Sequence, residues 1–116
     1  TYLEYYNNID IALDTFPYSG ATTTFGAICM GVPVFTLTGK NYISRQSASV
    51  LSSVGLPDWI VHDKNDYIKT LKKLANLKKI YRLRLKLRRQ VVDSPLCNGL
   101  RFAKNFENAM EKIFCE

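Results

Sequence analysis

The order of the elements predicts an α/β fold: a three-stranded parallel sheet with flanking helices, followed by C-terminal helices. Three observations carry that expectation. Short apolar or β-branched runs alternate with longer segments of helical periodicity, Gly31 and Gly55 each close one of those segments, and beyond Asp63 apolar residues recur only at helical spacing. Strands that alternate with helices form βαβ units with right-handed crossovers.

Ile9–Asp14 is an apolar run ending in an acid and is predicted as the first strand. Phe16-Pro17-Tyr18-Ser19-Gly20 is a loop, with Pro and Gly as breakers. Thr22–Met30 has helix length, and Gly31 is its predicted C-cap. Pro33–Leu37 reads as the second strand, Ile43–Val54 as a helix closed by Gly55, and Trp59–Val61 as a short third strand. Asp63 is the predicted N-cap of a helix reaching about Ala75, with Ile68, Leu71, Leu74 and Leu77 as its apolar stripe. A basic helix follows over about Leu77–Val92, buried through Ile80, Leu83, Leu87 and Val91, and Ser94-Pro95 breaks it. Phe102, Phe106, Ala109, Met110 and Ile113 line one face of a terminal helix.

Composition excludes several classes. At 116 residues and 47% hydrophobic, the chain has the size and balance of one globular domain, and seven tyrosines, six phenylalanines and one tryptophan argue against disorder. Cys29, Cys97 and Cys115 are odd in number, widely spaced and lack a C-x-x-C pair, which argues against a disulfide scaffold or zinc site and fits a reducing, cytoplasmic compartment. No run approaches the roughly 18 apolar residues of a membrane span. The net charge of +6 is concentrated: ten of the 16 basic residues lie between Lys69 and Arg89, and no acidic residue falls between Tyr67 and Val92. A basic face alone is weak support for nucleic acid, and the aromatic-basic pattern that stacks bases is missing. A solvated face, or a surface for an acidic partner, is the preferred reading.

The segment expected to carry chemistry follows the first strand, because ligands of such sheets bind beyond the carboxyl ends of the strands. Gly20-Ala21-Thr22-Thr23-Thr24 opens the first helix. The first N–H groups of a helix have no internal partner, and the helix dipole places partial positive charge there. An anion at that point meets N–H groups and hydroxyls, and Gly20 and Ala21 leave room for a phosphate to approach. The alternative is that one threonine caps the helix and the others are surface residues.

The stretch Ile9–Gly39, with Asp14-Thr15-Phe16-Pro17-Tyr18, Gly20-Ala21-Thr22-Thr23-Thr24 and Met30-Gly31-Val32-Pro33-Val34, resembles the C-terminal catalytic region of protein O-GlcNAc transferases, bacterial-type members of glycosyltransferase family 41. The likeness continues through Ser44–Ser49, Val54–Pro57 and Ser94–Cys97. It implies a GT-B enzyme with two Rossmann-like domains, of which residues 1–116 form the second half of the UDP-sugar-binding C-terminal domain and residues 63–116 its helical end. It further implies transfer of N-acetylglucosamine, or a related hexose, from a UDP-sugar to Ser or Thr hydroxyls of an acceptor protein. Thr22 and Thr23 would hold the donor diphosphate together with N–H groups near Ala21. Animal members have histidine at the position of Ala21. At the position of Gly26 the family often has an acidic residue that binds the ribose hydroxyls, a contact glycine cannot make. The resemblance implies no metal or other cofactor, and no catalytic residue is assigned within the chain. The lysine near the diphosphate, the groups holding the base, the acceptor site and the TPR array are expected upstream, so this stretch alone is expected to be inactive.

Other residues carry bland readings. His62 is taken as a loop residue, Asp14 as the cap of the following loop, Cys29 as a small hydrophobe and Trp59 as core. Arg45 is either half of a surface ion pair or a cation facing the donor. The first rival function is a GT-B transferase with asparagine or a lipid as acceptor, and the second is a basic interaction module gripping an acidic partner. A chain that opens at Thr1 and runs into an apolar strand also reads as part of something longer. Its first strand is then expected to have a bare edge, covered by self-association or by Thr1–Asn8.

Overall fold

Each β-residue of the central strand is surrounded on both faces, and this decides the layering. The computed structural model describes residues 1–115. In it Val34, Phe35 and Thr36 are all buried although successive strand residues point to opposite faces, so the strand is covered twice. The strands are β1 (Ala12–Leu13), β2 (Val34–Leu37) and β3 (Ile60–Val61). They form a parallel sheet in the order β1-β2-β3, registered Ala12 on Val34, Leu13 on Phe35, Thr36 on Ile60 and Leu37 on Val61. The helices are α1 (Thr22–Cys29), α2 (Gln46–Ser53), α3 (Lys64–Leu74), α4 (Leu77–Val92) and α5 (Gly99–Phe114). The α/β expectation therefore holds.

The two glycine-closed helices end by the same device. Gly31 and Gly55 take φ of +76° and +77°, a region that L side chains rarely adopt. At α1 the Val32 N–H donates to the Ala27 carbonyl at 2.9 Å and the Gly31 N–H to the Ile28 carbonyl at 3.0 Å. At α2 the Leu56 N–H reaches Leu51 at 2.9 Å and the Gly55 N–H reaches Ser52 at 3.2 Å. Both are Schellman closures, and Val32 and Leu56 drop into the core just beyond them. Asp63 caps α3 as expected, accepting the Asn65 N–H at 2.8 Å, and Asn76 caps α4 by accepting the Lys79 N–H at 3.1 Å.

Several boundaries differ from the sequence expectation. The first strand pairs only over Ala12–Leu13, and upstream of it the Arg84 guanidinium of α4 donates to the Ile9 carbonyl at 2.5 Å and to the Tyr6 carbonyl at 3.2 Å. Residues 43–45 form a 3-10 turn before α2, and Trp59 closes a second such turn started by Pro57, outside β3. Trp59 is core, as expected. The basic helices bury Ile80, Leu87 and Val91 fully and Leu71, Leu74 and Leu83 in part, but Ile68 and Leu77 stand in solvent. The stripe of α5 is not buried: Leu100, Phe102, Phe106 and Ile113 are all exposed, and the main packing of α5 is against the turn Pro95–Cys97. Thr1–Asn8 covers the β1 side of the core through one residue, Tyr6, while Tyr2, Leu3 and Tyr5 stay exposed.

Two outcomes follow for stability. Gly31→Ala is expected to lower it by more than about 1 kcal/mol, since the backbone is left-handed and the new Cβ would lie 3.2 Å from the Arg84 carbonyl; Gly26→Ala, mid-helix with nothing within 4 Å of the new Cβ, should raise it by about 0.4–1 kcal/mol. Thermal unfolding of the two variants should shift in opposite directions. Tyr6 has its phenol pushed up to about 12, first by its hydrogen bond with Tyr2 at 2.9 Å and then by burial. Its folded value exceeds the ordinary value of 10.0, so its contribution is complete below that pH and is lost as pH rises through about 12. In Tyr2→Phe, phenolate absorbance should show Tyr6 ionising at lower pH, and the alkaline loss of stability that Tyr6 contributes should shrink.

Candidate functional site

The carboxyl ends of the three strands lead into Asp14, Thr38 and His62, and the loop after Asp14 is fixed by one carboxylate. Asp14 Oδ1 accepts the Gly20 N–H at 2.8 Å, and its Oδ2 accepts the Thr36 hydroxyl of β2 at 2.7 Å. Asp14 thus caps the loop as expected, but across six residues instead of through a local Asx-turn. One carboxylate holds the far end of the loop and the neighbouring strand together.

A second set of bonds ties the same loop to α2. The Ser19 hydroxyl donates to the Ile43 carbonyl at 2.7 Å. The Ser47 hydroxyl donates to the Gly20 carbonyl at 2.8 Å and lies 2.7 Å from the Thr24 hydroxyl. A hydroxyl has a single proton, so Ser47 spends its own on Gly20 and Thr24 is the donor in the remaining bond. Ser19, Thr24 and Ser47 are all buried, and among the described residues no buried side-chain polar atom lacks a partner.

These bonds set out the start of α1. Ala21 occupies the cap position with no side-chain cap, and the first helical bond runs from the Phe25 N–H to the Ala21 carbonyl at 3.0 Å. The N–H groups of Thr22, Thr23 and Thr24 precede that bond and have no helical acceptor. The three threonines differ. Thr22 and Thr23 are exposed, whereas Thr24 is buried with its proton committed to Ser47, leaving its backbone N–H as the group it can offer an anion. Gly20 is sterically required: a Cβ there would lie 2.6 Å from the Thr23 hydroxyl, 2.7 Å from the Thr24 hydroxyl and 3.3 Å from Asp14 Oδ1.

The five residues singled out from the sequence flank two hollows rather than one. Ala21 lines a cleft of about 710 Å³ with Thr38, Tyr42, Arg45, Gln46 and His62. Gly20, Thr23 and Thr24 line a smaller groove of about 150 Å³ along β1, with Tyr6, Leu13 and Asp14. Thr22, the first residue of α1, lines neither. Arg45 makes no ion pair among the described residues; it donates to the Gly39 carbonyl at 3.1 Å and faces the larger cleft, as does His62. Gly26 lies further along α1, with open space where a side chain would stand. Cys29 is half-buried, and its thiol is pushed up chiefly by that burial, which fits a packing residue.

A sequence model described as "Glycosyl transferase family 41" matches residues 6–106. The chain belongs to that family. It is 34% identical over 99% of its length to a probable UDP-N-acetylglucosamine–peptide N-acetylglucosaminyltransferase SPINDLY of Solanum lycopersicum, and 36% identical over the same share to the SPINDLY protein of Arabidopsis thaliana. Among solved structures it matches a mutant O-GlcNAc transferase of Thermobaculum terrenum with a TM-score of 0.85 and 38% identity over 96% of the chain. The chain spans 13% of the length of those two plant relatives and 22% of the bacterial one. The family 41 resemblance read from Asp14–Tyr18 and Gly20–Thr24 is thus upheld, and the sheet and helices are those of part of a GT-B enzyme.

Ser47→Ala would leave the half-buried Gly20 carbonyl and the buried Thr24 hydroxyl without this partner, at a cost of about 1–3 kcal/mol. Urea unfolding of this family 41 chain should show that loss. Gly20→Ala should cost a similar amount, about 1–3 kcal/mol, by overpacking against the Thr24 hydroxyl, which its bond to Ser47 holds in place.

Proposed function

We propose that this chain supplies the donor diphosphate site of a cytoplasmic, UDP-sugar-dependent protein glycosyltransferase. N-acetylglucosamine is the favoured sugar, and Ser or Thr hydroxyls of an acceptor protein are the favoured acceptor. The observation that carries the proposal is the uncapped start of α1, with Thr22 and Thr23 exposed at the carboxyl ends of the strands, Ala21 on the larger cleft and Thr23 on the smaller groove. The names of the plant and bacterial relatives support the donor and the acceptor class.

The chemistry asked of these residues is electrostatic. Breaking the bond between sugar and diphosphate leaves negative charge on UDP, and preorganised N–H groups lower the energy of that developing charge. The backbone N–H groups of Ala21, Thr22 and Thr23 follow directly from Gly20, which the Asp14 and Ser47 bonds hold before the donor arrives, so little backbone reorganisation is needed, and the exposed Thr22 and Thr23 hydroxyls are free to turn toward the donor. No metal is required in this scheme, because the helix end supplies the positive potential. Arg45, facing the cleft beside Ala21, adds a cation within the same hollow.

Two features support the further reading that catalysis needs the remainder of a longer enzyme. Among the described residues no strand pairs with the outer edge of β1, and the apolar face of α5 is bare. Both are surfaces that a neighbouring part of the protein would cover. The three cysteines are unpaired, in keeping with a reducing cytoplasm.

In the full-length enzyme, Thr22→Ala combined with Thr23→Ala should weaken UDP binding, each hydrogen bond to a charged oxygen being worth roughly 1.5–3 kcal/mol. Thr24→Ser, which keeps the buried hydroxyl, should leave UDP affinity as it is. Calorimetric titration with UDP decides the matter: an unchanged affinity in a folded double variant would remove these threonines from the donor site.

A further inference from the structure

Helix α4 has three faces, and the core uses only one. Ile80, Leu87 and Val91 point inward. Leu77, Tyr81 and Leu85, spaced four apart, form a second apolar row that is 73%, 65% and 69% exposed. One position further on, and therefore on the adjoining face, come Lys78, Arg82 and Lys86, again four apart and exposed. None of these three cations has an acidic partner among the described residues, where the only ion pairs are those of Thr1, Arg84 and Arg89. A solvated surface helix has no use for the apolar row, and exposed apolar rows bordered by charge mark interaction surfaces.

The row is also the wall of a hollow. Leu77, Tyr81 and Leu85 border a groove of about 380 Å³ whose opposite wall is Met30, Gly31 and Asp10. Gly31 ends α1, so the groove lies at the end of that helix opposite the threonines of the proposed donor site.

We propose that α4 and this groove form a docking surface for an acidic amphipathic helix of a protein partner. Apolar side chains every three or four residues would enter the groove and lie along Leu77–Tyr81–Leu85. Carboxylates on the next face of the partner would meet Lys78, Arg82 and Lys86. The charge pattern of α4 selects this occupant: an unpaired basic row beside an apolar one is complementary to a helix with an acidic row beside an apolar one. A second copy of the chain does not fit, because its spare apolar helix α5 carries Arg101, Lys104 and Lys112 against only Glu107 and Glu111. A concave groove walled by Met30 and Asp10 also favours inserted side chains over a flat lipid surface.

The test uses the full-length protein and a fluorescent synthetic 16-residue peptide, leucine on one face and glutamate on the next, read by anisotropy. Saturable binding is expected, falling steeply between low and high salt. It should weaken at least tenfold in Tyr81→Ser with Leu85→Ser, and at least tenfold in Lys78→Glu with Arg82→Glu, while UDP affinity is unaltered in both. Replacing glutamate by glutamine in the peptide should weaken binding similarly, which keeps the test valid if a protein variant fails to fold. Equal binding of a scrambled peptide of the same composition would overturn the proposal. So would binding of phosphatidylserine vesicles or duplex DNA, with the same sensitivity to the variants, in place of the peptide. Lost UDP binding in Thr22→Ala with Thr23→Ala would leave this surface untouched, so the two proposals fail separately.

Discussion

The carboxylate of Asp14 is the contact on which the site depends. It closes the first strand, accepts the Gly20 N–H from the far end of the loop and accepts the Thr36 hydroxyl from the neighbouring strand. A strand of two paired residues cannot by itself aim a loop, because its ladder offers few bonds. Asp14 supplies the missing rigidity: with both oxygens engaged, the position of Gly20 is set relative to the sheet, and Gly20 in turn sets where α1 begins. Ser47 fixes the other side of the same residue by donating to its carbonyl. Gly20 is thus gripped on both its peptide units, by the carboxylate at the end of β1 and by α2. An uncapped helix end in water would fray; held at both sides, it can keep its N–H groups pointed outward and unpartnered.

That arrangement costs stability at one place and recovers it elsewhere. Leaving the start of α1 without a capping side chain forgoes roughly 1 kcal/mol. The buried hydroxyl network of Ser19, Thr24 and Ser47, and the full burial of Ile28 further along α1, offset it. The three threonines divide the labour: Thr24 anchors, while Thr22 and Thr23 face outward. Gly26 marks a different choice, an open position on α1 with nothing within 4 Å of where a side chain would stand.

Much of the fold was legible because its punctuation is local. Gly31 and Gly55 require positive φ and announce two Schellman closures, Asp63 announces a helix start, and the leucine spacing after Asn76 gives α4 its full length. The threonine run at a helix start was legible for the same reason. What could not be read was long-range. Ser19 and Ser47 meet across 28 residues, and no pattern distinguishes them from surface serines. Arg84 reaches back 75 residues to the Ile9 carbonyl just ahead of the first strand. The two basic helices hold more apolar positions than their buried faces can use, so Ile68 and Leu77 fit the stripe of the first by spacing while the packing leaves both outside. The stripe of α5 was equally clear in the sequence, but a stripe shows only that a face is apolar, not what covers it.

The most direct measurement of the central claim is a crystal structure of the full-length enzyme with UDP bound. The expected result is a diphosphate within hydrogen-bond distance of the Thr22 and Thr23 N–H groups, with the Asp14–Gly20 and Ser47–Gly20 bonds unchanged from their lengths here. A diphosphate bound elsewhere, with the start of α1 still facing solvent, would contradict it.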